Sequence, residues 1–146
     1  MNGARIRHAE LADAHAVFEL VCQFAVSYRP HRALFDQHYE LVMAAMTYDG
    51  TDDLLVAEDA DVVIGYALAG RFLTFYANGP VSELRELMVA PAHRGRGVGR
   101  QLVEAVIARA RAAGAAEVVV TTRRAKDYYR KLGFEETATL LKLSLV

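Results

Sequence analysis

The segment "AHRGRGVGRQLVEAV", which begins at Ala92, combines glycine and arginine in a pattern that suits anion binding. A helical pattern starts inside it, at about Val98. The first turn of a helix carries unpaired N–H groups and a partial positive charge, and glycines let a ligand approach the backbone without an intervening β-carbon. Successive amides of this kind form a concave nest for a pyrophosphate or several phosphates. The glycines and arginines of the segment are Gly95, Gly97, Gly99, Arg94, Arg96 and Arg100.

Several interpretations of this loop compete. The simplest is a solvated turn, although a strand-to-helix turn needs fewer glycines. A Rossmann dinucleotide site requires GxGxxG spacing, whereas these glycines alternate, and a Walker P-loop requires a Gly-Lys-Ser/Thr sequence that does not follow. A nucleic-acid patch fits the arginines but not the formal net charge of -1. Coenzyme A is a further candidate, because its adenosine diphosphate half carries a pyrophosphate.

The composition indicates an ordinary globular protein. With 146 residues, 53% of them hydrophobic, the chain fits one domain over residues 1–146 with a real core. Its single cysteine, Cys22, excludes an intrachain disulfide and a cysteine-based zinc cluster, and its helical surroundings predict a small core residue. The start lacks the apolar stretch of a signal peptide, and no run is long enough to cross a bilayer. We therefore expect a cytoplasmic protein with no metal and no nucleic-acid or membrane partner.

Hydrophobic periodicity predicts the order β-α-α-β-β-β-α-β-α-β, a mixed α/β chain with one sheet and helices packed on it. The predicted elements are a strand near Arg5–His8, a helix from about Asp13, a helix at about 32–46, a hairpin around "EDAD" whose second strand reaches about Tyr76, a strand in "SELRELMVAP", a helix at about 98–113, a strand in "AEVVVTT", a short helix in "AKDYYRKLG" closed by Gly133, and one or more last strands in "FEETATLLKLSLV".

The loop resembles the acyl-CoA signature of the GNAT superfamily of N-acyltransferases, [Q/R]-x-x-G-x-[G/A], in which Arg94, Gly97 and Gly99 occupy the fixed positions. Around it, "LRELMVAPAHRGRGVGRQLV" resembles the central strand, loop and helix of that family, "VVIGYALA" its third strand, and "AKDYYRKLGF" a later segment with a catalytic tyrosine. The resemblance covers nearly the whole chain. It implies a single-domain, mostly antiparallel sheet flanked by helices, and an acyl-CoA-dependent N-acetyltransferase that uses acetyl-CoA.

The same resemblance implies which residues hold acetyl-CoA. Backbone amides of residues 94–99 would bind the pyrophosphate, and the preceding strand, which carries a bulge and splays from its neighbour in the family, would pair with pantetheine. Thr122 stands where the family often has a pantetheine-bonding asparagine. The predicted cofactor-binding residues are Leu87, Met88, Val89, Arg94, Gly95, Arg96, Gly97, Val98, Gly99, Arg100 and Thr122.

Three side chains are candidates for proton transfer. Tyr129 matches the family's general-acid tyrosine, because a tyrosine O–H can protonate a leaving thiolate, whereas Tyr128 takes an apolar place and is predicted to be core. Glu83 and Glu86 are the candidate bases. Strand alternation puts these two on opposite faces unless a bulge resets the phase. Glu86 is favoured because it lies nearer the thioester, and a water relay without a dedicated base is the alternative.

The acceptor would be framed by the first two helices, whose connection is aromatic and basic, with Tyr28, His31 and Tyr39 as candidate contacts. This composition favours a small amine or amino-acid-like acceptor over a polyamine, which would prefer carboxylates. A protein or peptide N-acetyltransferase and a non-catalytic acyl-CoA sensor are the alternatives. The apolar tail "LLKLSLV" is either a buried strand or a dimer edge, and family habit favours a homodimer.

Overall fold

The computed structural model describes residues 3–25 and 27–146. Its sheet has the order β1-β2-β3-β4-β5, and neighbouring strands are antiparallel except for β4 and β5, which are parallel and joined through α3. The predicted α/β class with a mostly antiparallel sheet is confirmed. The strands are β1 (Arg5–His8), β2 (Asp52–Asp59), β3 (Val62–Leu73), β4 (Pro80–Val89) and β5 (Glu117–Val120), and the helices are α1 (Ala14–Phe24), α2 (Arg32–Ala44), α3 (Val98–Ala112) and α4 (Lys126–Lys131).

The two faces of the sheet belong to different helices. Consecutive residues of β2 alternate between them: Leu55 packs in a cluster with Leu102 of α3, and Leu54 packs in a second cluster with Val17 of α1 and Tyr39 of α2. This alternation follows from the two-residue period of a strand. We call these the α3 face and the α1/α2 face.

A buried carboxylate fastens the C-terminal half of α3 to the sheet. Asp53 of β2 accepts hydrogen bonds from Arg71 of β3 at 2.6 Å and from Arg109 of α3 at 3.1 Å. Burial alone would raise the pKa of Asp53, but the two guanidinium groups outweigh it and hold that pKa below its usual value. These ion pairs attach α3 to the sheet near the C-terminal end of the helix. The N-terminal end of α3, which follows β4, takes no part in them.

The predicted last strand is not formed. Residues 134–146 lie outside any helix or strand, and nearly all of them are exposed. A strand needs a neighbour to satisfy its backbone groups, and no strand pairs with the outer edge of β5 in the part of the chain that is described. The exposed apolar side chains of this tail are Leu140, Leu141, Leu143, Leu145 and Val146.

Smaller differences from the predicted elements have local causes. β3 ends at Leu73 rather than near Tyr76, because residues 75–79 form bends. α2 passes into a π-helical turn at Ala45–Asp49, which Gly50 closes in a left-handed conformation. Cys22 is exposed on α1 and is not a core residue, because the buried stripe of that helix runs through other positions. None of the helices in the described ranges is long and apolar enough to span a bilayer.

Candidate active site

A cavity opens where β4 separates from β5. β4 pairs with β3 as far as Val89, but it pairs with β5 only from Val81 to Leu84. Beyond that point, among the described residues, the peptide groups of β4 that point away from β3 pair with no other strand. The cavity measures about 460 Å³, and its lining residues are Leu87, Met88, Val89, His93, Arg94, Gly95, Gly97, Val98, Gly99, Arg100, Ala125, Tyr128 and Tyr129.

The glycine loop forms an open cradle at one end of this cavity. Gly95 and Gly97 have φ of 79° and 81°, a left-handed conformation that glycine adopts without strain. Gly97 is the N-cap of α3 and provides no side-chain cap, so the first amides of the helix remain available to a ligand. Apart from the adjacent residues, no heavy atom of the described residues lies within 4 Å of a β-carbon built at Gly95 or at Gly97, so the cradle is unobstructed.

Polar groups around the cradle fit the predicted acetyl-CoA. The Nδ1 atom of His93 is buried, and within the described residues it has no hydrogen-bond partner. The Arg94 side chain donates from Nε to the Val89 carbonyl at 3.0 Å, and the Arg100 side chain also lines the cavity. Cationic side chains and free helix amides together suit an extended ligand with a pyrophosphate.

Two of the predicted cofactor-binding residues lie outside the cavity lining. The hydroxyl of Thr122 accepts a hydrogen bond from the Ala125 amide at 2.9 Å and so supports the start of α4. Its side chain faces a different groove, which is bordered by β5 and the tail. Arg96 is exposed and does not line the cavity. The hydroxyl of Thr122 is thus engaged at the start of α4, while the predicted contact of Arg96 was through its backbone amide and stays a prediction.

Tyr129 lies at the boundary between the cavity and the core. It is 8% exposed, packs edge-on against Phe134 at 5.5 Å between ring centroids, and lines the cavity. Burial raises the pKa of Tyr129 to about 12, so the hydroxyl carries its proton at neutral pH. The structure gives this hydroxyl no hydrogen-bond partner over residues 3–25 and 27–146. It is therefore an unbonded donor, on a side chain that borders both this cavity and the groove beside β5.

Tyr128 is not the core residue that the sequence predicts. It is 38% exposed and lines the cavity, and its hydroxyl would lie 2.8 Å from a β-carbon at Gly99. Residue 99 must therefore be small for this ring to stand beside the first turn of α3. The alternation of apolar residues on a six-residue helix contains too little information to separate Tyr128 from Tyr129.

The two strand glutamates lie on the same face because β4 is bulged. Glu86 lies opposite Leu68 of β3. Glu83 lies opposite Gly70, two residues further along, and the register shifts between the two pairs. Residues directly opposite in an antiparallel pair share a face, so both carboxylates project to the α1/α2 face. Arg85 is the extra residue of the bulge, which meets the condition under which both glutamates could serve.

The predicted acceptor contacts divide into exposed and buried side chains. Tyr28 and His31 are exposed, so they remain available at the connection between α1 and α2. Tyr39 is buried in the core, and its hydroxyl donates to the carbonyl of Glu10 at 2.5 Å. The assignment of Tyr39 as an acceptor contact is corrected, because its polar atom is already satisfied inside the protein.

Sequence reasoning did not find His93 and Tyr66. His93 directly precedes the signature arginine, but no spacing rule singles it out. Tyr66 is one aromatic residue in an apolar strand, and only the pairing of β3 with β4 reveals that its hydroxyl donates to Glu86. In the described ranges, no group of three or more histidine, cysteine, aspartate or glutamate residues is placed to hold a metal ion.

Comparisons with known proteins agree with this architecture. The family model described as an acetyltransferase (GNAT) domain matches residues 50–136. A glucosamine 6-phosphate N-acetyltransferase from Oryza sativa subsp. japonica is 34% identical, over 90% of this chain and 81% of the relative. An aminoalkylphosphonate N-acetyltransferase from Salmonella typhimurium is 28% identical, over 94% of this chain and 88% of the relative. The crystal structure of glucosamine-6-phosphate N-acetyltransferase from Arabidopsis thaliana superposes with a TM-score of 0.85 at 20% identity, covering 99% of this chain and 100% of that one.

Proposed function

The chain belongs to the GNAT family of acyl-CoA-dependent N-acetyltransferases, and we propose that it transfers the acetyl group of acetyl-CoA to a primary amine of a small molecule. The observation that carries this proposal is the cavity between β4 and α4. It joins an unobstructed glycine cradle, the end of β4 at Leu87 to Val89, which β5 does not pair, and the Tyr129 side chain in one space. The reaction is direct attack of the amine on the thioester while both substrates are bound.

Each residue of the proposed site has a chemical task. The amides at the start of α3 bind the pyrophosphate, and the free peptide groups of β4 align pantetheine as an additional strand. An N–H of the same strand donates to the thioester oxygen as negative charge develops there. Glu86 accepts a proton from the attacking amine, and Tyr129 donates its proton to the sulfur that leaves.

The names of the two curated relatives support a small-molecule acceptor. One acts on an aminoalkylphosphonate and the other on glucosamine 6-phosphate, and both compounds combine an amine with a phosphorus oxyanion. An acceptor of this kind agrees with the predicted small amine or amino-acid-like compound. The peptide acceptor and the non-catalytic sensor are outcomes that the following assay separates.

We expect amine-dependent release of free CoA from acetyl-CoA, measured with a thiol reagent. The panel contains aminomethylphosphonate, glucosamine 6-phosphate, an amino acid and a peptide with a free N-terminus. Saturable release with at least one of the small amines supports the proposal. Release with the peptide alone would replace it by protein acetylation. If acetyl-CoA stabilises the protein against heat but no amine causes release of CoA, the proposed enzyme would be replaced by a non-catalytic sensor.

We further propose that the protein is a cytoplasmic homodimer in which the exposed tail of one copy covers the open edge of β5 in the other. A groove of about 800 Å³ lies along β5 and α4, beside residues 134–140. The tail presents five exposed apolar residues in its last seven positions, and burying them would remove a large apolar area from water. An unpaired strand edge offers the complementary backbone groups.

Removal of residues 140–146 is expected to convert the dimer to a monomer, because the tail supplies the apolar contact. Light scattering coupled to size-exclusion chromatography measures the change from about twice the chain mass of 16.1 kDa to that mass. Leu73→Lys is the matched control, since Leu73 is an equally exposed leucine at the end of β3. A full-length protein that elutes as a monomer would overturn the proposed dimer.

A further inference from the structure

The hydroxyl of Tyr66 stands out because the packing does not require it. Tyr66 is 1% exposed, and its ring fills the core on the α1/α2 face. β3 and β4 are already joined by their backbone pairing, so phenylalanine would fill the same space. The hydroxyl donates to Oε1 of the partly exposed Glu86 at 2.7 Å. Burial, and then the charge of Glu86, raise the pKa of Tyr66, so the hydroxyl remains a donor.

This hydrogen bond fixes one carboxylate oxygen and leaves the other free. Within the described residues, Oε2 of Glu86 has no hydrogen bond and no ion pair. A side chain on a strand has several rotamers, and a bond from a rigid, buried donor selects one of them. Glu86 is thereby held with a free oxygen, at a position two residues along β4 from Met88, which lines the acetyl-CoA cavity.

Glu83, the other candidate, has a different partner. The Arg85 side chain lies across Gly70, where a β-carbon would overlap its guanidinium. Its Nε is 3.9 Å from Glu83, and its Nη1 is 3.5 Å from Asp52. Glu83 therefore shares a partly exposed cationic side chain with Asp52 and is not held by a buried donor. Glu86 is bonded to a neutral hydroxyl instead.

We propose that Tyr66 is the positioning residue that makes Glu86, rather than Glu83, the general base. In the step that follows, the amine nitrogen forms a bond to the acetyl carbon and the carbon–sulfur bond breaks. The amine proton goes to Oε2 of Glu86, and the thiolate takes the proton of Tyr129. This inference rests on the proposed acetyl transfer and adds the residue that selects its base.

A double-mutant cycle tests the proposal. The variants are Tyr66→Phe, Glu86→Gln and the pair together, assayed with the small amine that the CoA-release panel identifies. We expect Tyr66→Phe to lower kcat about 10-fold with KM for acetyl-CoA unchanged, and Glu86→Gln to lower kcat about 100-fold. The double variant should be no slower than Glu86→Gln alone, because Tyr66 acts only through that carboxylate.

Two further variants separate positioning from stability. Tyr39→Phe removes a hydroxyl from another buried tyrosine of the same cluster, one that donates to a backbone carbonyl. It should shift the thermal midpoint about as much as Tyr66→Phe and leave kcat unchanged. The double variant Tyr66→Phe/Glu83→Gln should lower kcat by the product of the two single factors, because Tyr66 does not act through Glu83.

The proposal is overturned if Tyr66→Phe slows the Glu86→Gln enzyme by the same factor as the wild type. It is also overturned if Tyr66→Phe lowers kcat no more than Tyr39→Phe does. Failure of the proposed function gives a different result, since the wild-type protein would then acetylate none of the small amines.

Discussion

Replacement of Tyr129 by phenylalanine is expected to lower kcat by about 100-fold or more, while KM for acetyl-CoA stays nearly constant. The Tyr129 side chain lines the cavity and its hydroxyl has no partner among the described residues, so its loss removes a proton donor and leaves the packing intact. The phenylalanine ring keeps the edge-on contact with Phe134. Steady-state kinetics with the amine at saturation measures the effect, and unchanged thermal midpoints establish that the fold is retained.

Tyr128→Phe is the matched comparison, since the two tyrosines are adjacent and line the same cavity. The Tyr128 hydroxyl lies beside Gly99, at the end of the cavity proposed for the pyrophosphate, so its loss should raise KM for acetyl-CoA rather than lower kcat. A larger fall in kcat for Tyr128→Phe than for Tyr129→Phe would transfer the general-acid role to Tyr128.

The pKa of Tyr129 determines how the loss of kcat in Tyr129→Phe depends on pH. Burial raises that pKa to about 12, so the hydroxyl is protonated at every pH well below this value. The ratio of wild-type to variant kcat should therefore be constant between about pH 7 and 10. A ratio that falls toward one as the pH rises across this interval would mean that the donor has a lower pKa than Tyr129.

Replacement of Gly97 by leucine is expected to abolish acetyl-CoA binding. Gly97 caps α3 with φ of 81°, and a side chain there would enter the space proposed for the pyrophosphate. For the wild type, acetyl-CoA at about 100 times its dissociation constant adds about 2.7 kcal/mol of stability, which raises the melting temperature by several degrees. Thermal denaturation with and without acetyl-CoA should show this rise in the wild type and none in the variant.

Gly114→Leu is the control that separates the effect of backbone strain from the loss of ligand binding. Gly114 follows α3 with φ of 78°, and a β-carbon there also meets nothing within 4 Å. Both leucine variants should lose about 1–2 kcal/mol of stability from the left-handed conformation. Only Gly97→Leu should lose the response to acetyl-CoA, and an undiminished response in that variant would place the pyrophosphate elsewhere.

The sequence alone predicted the features that depend on neighbouring residues. The glycine cradle depends on positive φ at Gly95 and Gly97 and on the start of α3, all within a few residues, and the structure has all of them. The helices and all strands but the last were predicted for a similar reason, because their hydrophobic patterns repeat over short distances. Family motifs then located most of the residues that line the cavity.

Only the tertiary structure decided what depends on pairing between distant segments. The shared face of Glu83 and Glu86 results from one extra residue in β4, and a shift of one residue reverses every side chain beyond it. The bond from Tyr66 to Glu86 spans 20 positions and follows from that register. The unformed last strand has the same origin, because a strand exists only where another backbone can pair with it, and the sequence of one segment does not contain its partner.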